Sequence, residues 1–256
     1  MNNKLLILNL GVDSENTSLA FTQKWINDIS LNYDAVDVLT MKVGSTYQLN
    51  KNVNLFFIND QNTNYTKIYQ LRKLNKLTRK LIKNNNYTHC FAHMAPMQHL
   101  VAKFYLIQKN IKTTLWFTHS GPKFGIKWLI LWFSSMLANN IVTASKHSFP
   151  FRFKKVKCIG HGINFDSFFI ERKTFQLKNI SILSRVSKSK NIENTIDNII
   201  KCKNFENINI DVIGGTLNID DESYLKELLM KYKNFKNINF IGKQPHAKLP
   251  ELLKKY

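Results

Sequence analysis

Asn179–Ile200 reads NISILSRVSKSKNIENTIDNII: a short β-branched run, a turn carrying Arg185 and Lys190, then a stretch of helical character. A strand handing over to a helix through such a turn is half of a βαβ unit, so the segment predicts a parallel α/β sheet. The order recurs downstream. Strand Ile208–Ile213 precedes helix Asp221–Tyr232, and strand Asn237–Ile241 precedes helix Lys248–Lys255, with glycine-marked strand ends in DVIGGT and NFIGKQP. Arg185 and Lys190 stand five residues apart where strand Asn179–Leu183 gives way to helix Asn191–Lys201. There the guanidinium can fork onto phosphate oxygens, the ammonium can add a point charge, and the helix N-terminus can lend backbone donors, so the three can converge on a diphosphate.

Upstream, apolar runs rich in β-branched and aromatic residues predict strands at Lys4–Leu10, Ala35–Thr40, Val53–Ile58, Thr88–Ala92, Thr113–Thr118, Asn140–Thr143 and Val156–Ile159. Ile68, Leu71, Leu74, Leu77 and Leu81 recur at helical spacing with cations on the other faces, which makes Thr63–Asn84 an amphipathic helix. Further helices fit Thr17–Ser30, Met97–Lys109 and Phe124–Leu137. The alternation predicts two α/β domains, residues 1–168 and 169–256, separated by the aperiodic stretch HGINFDSFFIERKTFQL with its boundary near Phe168.

A chain of 256 residues with 44% hydrophobic content can fill real cores. Cys90, Cys158 and Cys202 form neither a CxxC pair nor an even framework, which suits free thiols in the cytoplasm. The opening MNNKLLILNLG reads as a buried first strand rather than a signal peptide, and the longest apolar stretch, from Ile126 to Ala138, is short of a membrane span. Net charge is +20, and residues 61–165 hold 17 Lys or Arg with no Asp or Glu. Such a surface attracts phosphate-rich partners, although a lysine-rich composition supplies part of it without any binding role.

Ligands of open parallel sheets bind at the carboxyl ends of the strands. Gly11, His93, His119, Ser145, Arg185, Gly214 and Gly242 fall there. Gly11 allows a tight turn into a helix that Ser14 or Asn16 could cap, or is a turn glycine with no ligand contact. His119, in LWFTHSGPK, can donate a hydrogen bond to a sugar hydroxyl or stabilise developing charge. His89, Cys90, His93 and His99 match no closed metal site by spacing, so no metal is assigned. FGIKWLILWFSSMLA places Trp128, Trp132 and Phe133 near Lys123 and Lys127. It reads either as an interfacial helix or, more simply, as one buried between sheet and partner helices.

In sequence, THCFAHM, LWFTHSG, ANNIVTASKHSF, VKCIGHGINFDSF, ILSRVSKSKNIENTIDNII, INIDVIGGT and INFIGKQPHAKLPELLKKY resemble retaining GT-B glycosyltransferases, specifically glycosyltransferase family four. SRVSKSKN is similar to that family's Gly-Arg-x4-Lys-Gly phosphate motif, with Ser184 and Asn191 in place of its glycines. The resemblance implies two Rossmann-like parallel-sheet domains facing a cleft, acceptor side first and donor side second. It implies that Arg185 and Lys190 grip the donor diphosphate, that His119 faces the transferred sugar, that Gly11 sits near donor and acceptor, and that Gly214 lies near the nucleotide base.

The family also carries two Glu separated by seven residues after the helix that here ends at Tyr256, so the resemblance implies an incomplete, C-terminally truncated donor domain. The expected function is transfer of a sugar from a nucleotide-diphosphate donor to a glycan or lipid-linked acceptor in cell-envelope polysaccharide or lipopolysaccharide synthesis. The reaction is expected to be retaining and metal-independent, with no cofactor beyond the donor substrate. Expected surroundings are the cytoplasm and the anionic inner face of the cell membrane. Two alternatives remain: a non-enzymatic basic protein binding anionic lipid or nucleic acid, for which the usual nucleic-acid modules are lacking, and a GT-B nucleotide-sugar epimerase.

Overall fold

In a computed structural model the protein is described over residues 3–15, 19, 21–46, 49–60, 62–63, 65–162, 168–169, 178–245 and 248–256. It divides into two compact units, Met1–Gly162 and Ile163–Tyr256, a few residues before the boundary suggested by the linker composition. Most of that linker lies outside the described residues.

The first unit runs β1 (Lys4–Val12), α1 (Phe21–Ser30), β2 (Ala35–Val43), β3 (Val53–Asn59), α2 (Lys67–Asn84), β4 (His89–His93), α3 (Pro96–Gln108), β5 (Lys112–Trp116), α4 (Ile126–Leu137), β6 (Asn140–Thr143) and β7 (Val156–Cys158). Its sheet has the order β3-β2-β1-β4-β5-β6-β7, and every pairing is parallel. The run Leu5–Leu8 of β1 is unbroken apolar sequence because both its faces are covered. Leu6 and Leu8 join Leu74 of α2, Ala102 and Leu106 of α3 and Leu131 of α4 in one core. Leu5 and Ile7 face the other way, toward Trp25 and Ile26 of α1. The helices are thus unevenly shared, with α2, α3 and α4 on one face of the sheet and α1 on the other.

Two boundaries differ from the sequence reading in ways that matter. β1 continues through Gly11, which pairs with Lys42, so Gly11 is strand rather than turn. Ser14 does not cap α1; its hydroxyl donates to the carbonyl of Ser45 at 3.0 Å, and Asn16 lies outside the described residues.

The account of α4 as a buried helix also fails. Only Leu131, Ser134 and Ser135 are buried along it, while Ile126, Leu129, Phe133 and Met136 are exposed and Phe124, just before it, is 85% exposed. α3 packs along one flank and no described element covers the outer side. Among the described residues no helix is long and apolar enough to cross a membrane.

A polar seam runs between α3 and α4. His99 meets the hydroxyl of Ser134 at 2.8 Å and that of Thr113 at 3.1 Å, and the Lys103 ammonium donates to Asn139 Oδ1 at 3.2 Å. Lys155 closes the seam by donating to the carbonyls of Met136 and Ala138 at 2.7 and 2.6 Å, satisfying orphan acceptors at the end of α4. Burial, reinforced by the positive charges of Lys103 and Lys155, pushes His99 down to about 3. The imidazole is therefore neutral at neutral pH, with a hydroxyl at each ring nitrogen.

The second unit is a three-stranded parallel sheet of order β10-β9-β8, from β8 (Asn179–Leu183), β9 (Asn209–Ile213) and β10 (Ile238–Gly242). Helices α5 (Ile192–Ile200), α6 (Ile219–Lys231) and α7 (Leu249–Leu253) complete it, around a core of Ile192, Ile196, Ile210, Val212, Tyr224 and Leu228. Asn218 caps α6 by accepting from the backbone N–H of Asp221 at 2.8 Å, and Asp220, Asp221 and Glu222 lie in its first turn, where the helix dipole favours them. Lys231 at the other end ties α6 to α5 through Glu193 at 2.8 Å and Asp197 at 2.7 Å.

Candidate functional site

In the second unit the pairing of β8 with β9 extends past the strands: Ser184 N–H donates to Ile213 O at 3.0 Å and Val186 N–H to Gly215 O at 2.9 Å. This draws the two chains together at Gly214, whose φ is +154° and where a Cβ would sit 1.8 Å from the Ser184 carbonyl oxygen. Only glycine fits there. The same continuation places Arg185 immediately beyond the carboxyl end of β8.

Arg185 directs Nε toward Ser187 Oγ at 3.4 Å and toward the Asp221 carboxylate at 3.7 Å. With that edge engaged internally, the side chain remains 41% exposed. Ser187 and Ser189 share a hydroxyl contact at 2.9 Å. A 3-10 turn, Lys188–Lys190, then leads to Asn191 at φ +55°, ψ +32°, which starts α5. That left-handed conformation is ordinarily taken by glycine and next most readily by asparagine. It accounts physically for an asparagine where the phosphate motif has its second glycine.

A cavity of about 410 Å³ lies beside this turn, lined by Arg185, Ser187, Lys188, Ser189, Asp220, Asp221, Ser223 and Glu227. Arg185 is on its wall and Lys190 is not. Lys188 takes the second cationic position, 4.0 Å from Glu227. Two cations against three carboxylates make the cavity as it stands unattractive to a free diphosphate. The exposed cationic groups here are the outer part of Arg185, Lys188 and Lys190. Sequence spacing singled out Arg185 and Lys190; it gave no sign of Lys188, Asp221 or Ser187, which approach Arg185 or line the cavity only in the folded unit.

In the first unit His119 is exposed, three residues past the end of β5, its ring edge-on to Phe117 at 6.3 Å. Gly11, inside β1, accepts at its carbonyl from Thr22 Oγ1 at 3.2 Å. His93, the last residue of β4, is enclosed by Phe21, Trp25 and Trp116 at ring distances of 5.9, 5.0 and 6.3 Å. Trp116 in turn faces His161 at 5.8 Å, and His161 Nε2 lies 3.5 Å from Thr118 Oγ1. Burial first, and then the charge of His161, pushes His93 down to about 4. His89 and His99 turn to hydroxyl partners instead, and Cys90 is fully buried with its thiol pushed up to about 12, so the four residues first compared with a metal site go to separate surroundings.

Residues 166–256 match the family model described as Glycosyl transferases group 1, so the second unit carries a glycosyltransferase domain. No curated protein matches the sequence. Among solved structures, HepE from Anabaena in complex with UDP is 15% identical, with a TM-score of 0.65 over 98% of this chain and 71% of that one. A glycosyltransferase from Rickettsia africae is 14% identical, with a TM-score of 0.66 over 97% and 71%. The UDP-GlcNAc 2-epimerase of Methanocaldococcus jannaschii is 12% identical, with a TM-score of 0.58 over 97% and 76%. At these identities the likeness establishes the fold, which is GT-B.

Proposed function

We propose that this chain is a glycosyltransferase that moves a sugar from a nucleotide-diphosphate donor to a glycan or lipid-linked acceptor of the cell envelope, with retention at the anomeric carbon. The observation that carries the reading is Arg185, set just past the carboxyl end of β8 within the segment that matches the family model, its Nε near Ser187 and Asp221 and its side chain 41% exposed. As the glycosidic bond of the donor breaks, negative charge grows on the diphosphate leaving group. Arg185, Lys190 and the first backbone N–H groups of α5 stabilise that charge in this reading, a task for which no metal is assigned. His119 donates a hydrogen bond to the transferred sugar, while Gly11 and Gly214 lend close backbone near donor and base. HepE supports the choice of ligand, since it binds UDP. An epimerase shares the fold, and the family-model match over residues 166–256 favours glycosyl transfer over that chemistry.

We further propose that the protein works in the cytoplasm, docked on the anionic inner face of the cell membrane through α4. Phe124, Ile126, Leu129 and Phe133 are exposed there beside the exposed Lys123 and Lys127, within the interval that has 17 cations and no acid. Apolar side chains flanked by lysines suit insertion among anionic headgroups.

Calorimetric titration of the full chain with UDP and with GDP tests the donor reading. Saturable binding of one of them is expected, and no binding of either overturns it.

A further inference from the structure

An open sheet leaves a strand at each end whose backbone groups face outward, and such an edge invites pairing with another chain unless something guards it. Most edges in this protein are guarded. β7 has only three residues, one of them Lys157, and follows Lys154 and Lys155. β10 breaks register between Phe240 and Gly242, and β8 stands between the cations Lys178 and Arg185.

β3 is the exception. It ends the larger sheet, with β2 on one side and, among the described residues, no strand on the other. Its seven residues, VNLFFIN, include no charge, no proline and no glycine, and it keeps one register with β2 throughout. Asn52 O accepts from the Val36 N–H at 2.8 Å, so the even-numbered residues address β2, while Leu55 and Phe57 turn their backbone groups to the open side. Phe57 is 38% exposed, and Leu55 and Phe56 are only partly buried. Lys73 of α2, which could guard this edge, is drawn to the Ile58 carbonyl at 2.6 Å instead.

The two ends of the strand indicate its partner. Exposed Lys51 precedes it and Asp60 follows it. A second β3 running antiparallel brings Lys51 of each copy to the end where the other carries Asp60, whereas a parallel neighbour would set like charges together. Leu55 of one copy then exchanges hydrogen bonds with Phe57 of the other, and Phe56 faces its own counterpart across a two-fold axis. The same operation on β8 would bring Lys178 against Arg185.

We propose that β3 is a self-association surface whose partner is a second copy of this chain, the two larger sheets joining edge to edge as one continuous sheet in an isologous dimer. Backbone pairing supplies the contact, Phe56 and the Leu55–Phe57 pairs set the register, and the opposite charges at the strand ends select the antiparallel arrangement.

Sedimentation velocity of the full chain across the micromolar range tests this, in moderate salt to screen the repulsion between two chains of +20. Wild type should show a reversible monomer–dimer equilibrium. Phe57→Lys should weaken it about tenfold or more, because each dimer loses two apolar contacts at the seam. Lys51→Glu, at an exposed turn position, should weaken it about threefold by placing like charges at both ends. Lys157→Glu, on the guarded edge of β7, should leave it unchanged. A wild type that stays monomeric, or a dimer equally stable in Phe57→Lys and Lys51→Glu, overturns the interface. A dimer abolished by Phe124→Asp and untouched by Phe57→Lys also overturns it, and assigns the association to α4.

Discussion

The carboxylate of Asp221 lies 3.7 Å from Nε of Arg185 and also accepts the backbone N–H of Leu217 at 3.1 Å, so one side chain both closes the start of α6 and attends the cation beyond β8. The two duties can be separated by mutation, because an asparagine keeps an oxygen for Leu217 and loses the charge.

Arg185→Ala should weaken UDP binding by about 1.5–3 kcal/mol, the range for a hydrogen bond to a charged group. Asp221→Asn should move affinity the other way by a few-fold, since a phosphate no longer competes with a carboxylate. Calorimetry decides both. Unchanged affinity in Arg185→Ala removes that residue from the donor site.

Gly214→Ala should be much worse tolerated than Gly242→Ala. A methyl group at Gly214 would meet the Ser184 carbonyl oxygen at 1.8 Å, whereas Gly242, at φ +76°, has nothing within 4 Å of the added carbon. The first substitution should cost about 3 kcal/mol and the second about 1 kcal/mol of stability. Urea midpoints that coincide for the two variants would contradict this account of the β8–β9 approach.

Stability should fall as pH is lowered from 7 toward 4.5. Burial holds His99 at about 3 and His93 at about 4, while in the unfolded chain both titrate near the ordinary 6.5. Between those values the unfolded state binds more protons than the native state, which drains stability as pH drops, by up to about 1.4 kcal/mol per pH unit for each histidine. Denaturation midpoints that do not change between pH 7 and 5 would rule this out.

Phe124→Asp and Ile126→Asp should each reduce co-sedimentation with phosphatidylglycerol vesicles about tenfold, the scale of losing one buried large side chain from an interface. Binding should also weaken in high salt and be slight on phosphatidylcholine. Sedimentation of both variants like wild type would place the docking surface elsewhere than α4.

Much of the architecture was legible because its signals are local. The apolar β1, the helical spacing of Leu74, Leu77 and Leu81, and the strand-turn-helix around Arg185 each declare themselves within a short window. What the sequence concealed depends on neighbours distant along the chain. Gly11 looked like a turn because glycine usually marks one, yet pairing with Lys42 extends the strand through it. The apolar circumference of α4 suggested burial, and only the arrangement of the helices on one side of the sheet shows which of its faces stays open. At the candidate donor site, Lys190 was paired with Arg185 by spacing, but the intervening 3-10 turn brings Lys188 to the cavity wall instead. Asp221 and the rings around His93 carried no sequence signal, since each is assembled from elements that meet only in the folded chain.

The polar seam between α3 and α4 bears on uniqueness rather than on strength. Two largely apolar helices could slide along each other by a turn and lose little contact energy, leaving several packings of similar stability. In this protein such a slide would strip His99 of Ser134 and Thr113 and the Lys103 ammonium of Asn139, stranding an imidazole and a cation in the interior. A buried polar group without a partner costs about 1–3 kcal/mol, and a charged one more. The seam therefore serves as an index mark that admits one register of α4 against the sheet.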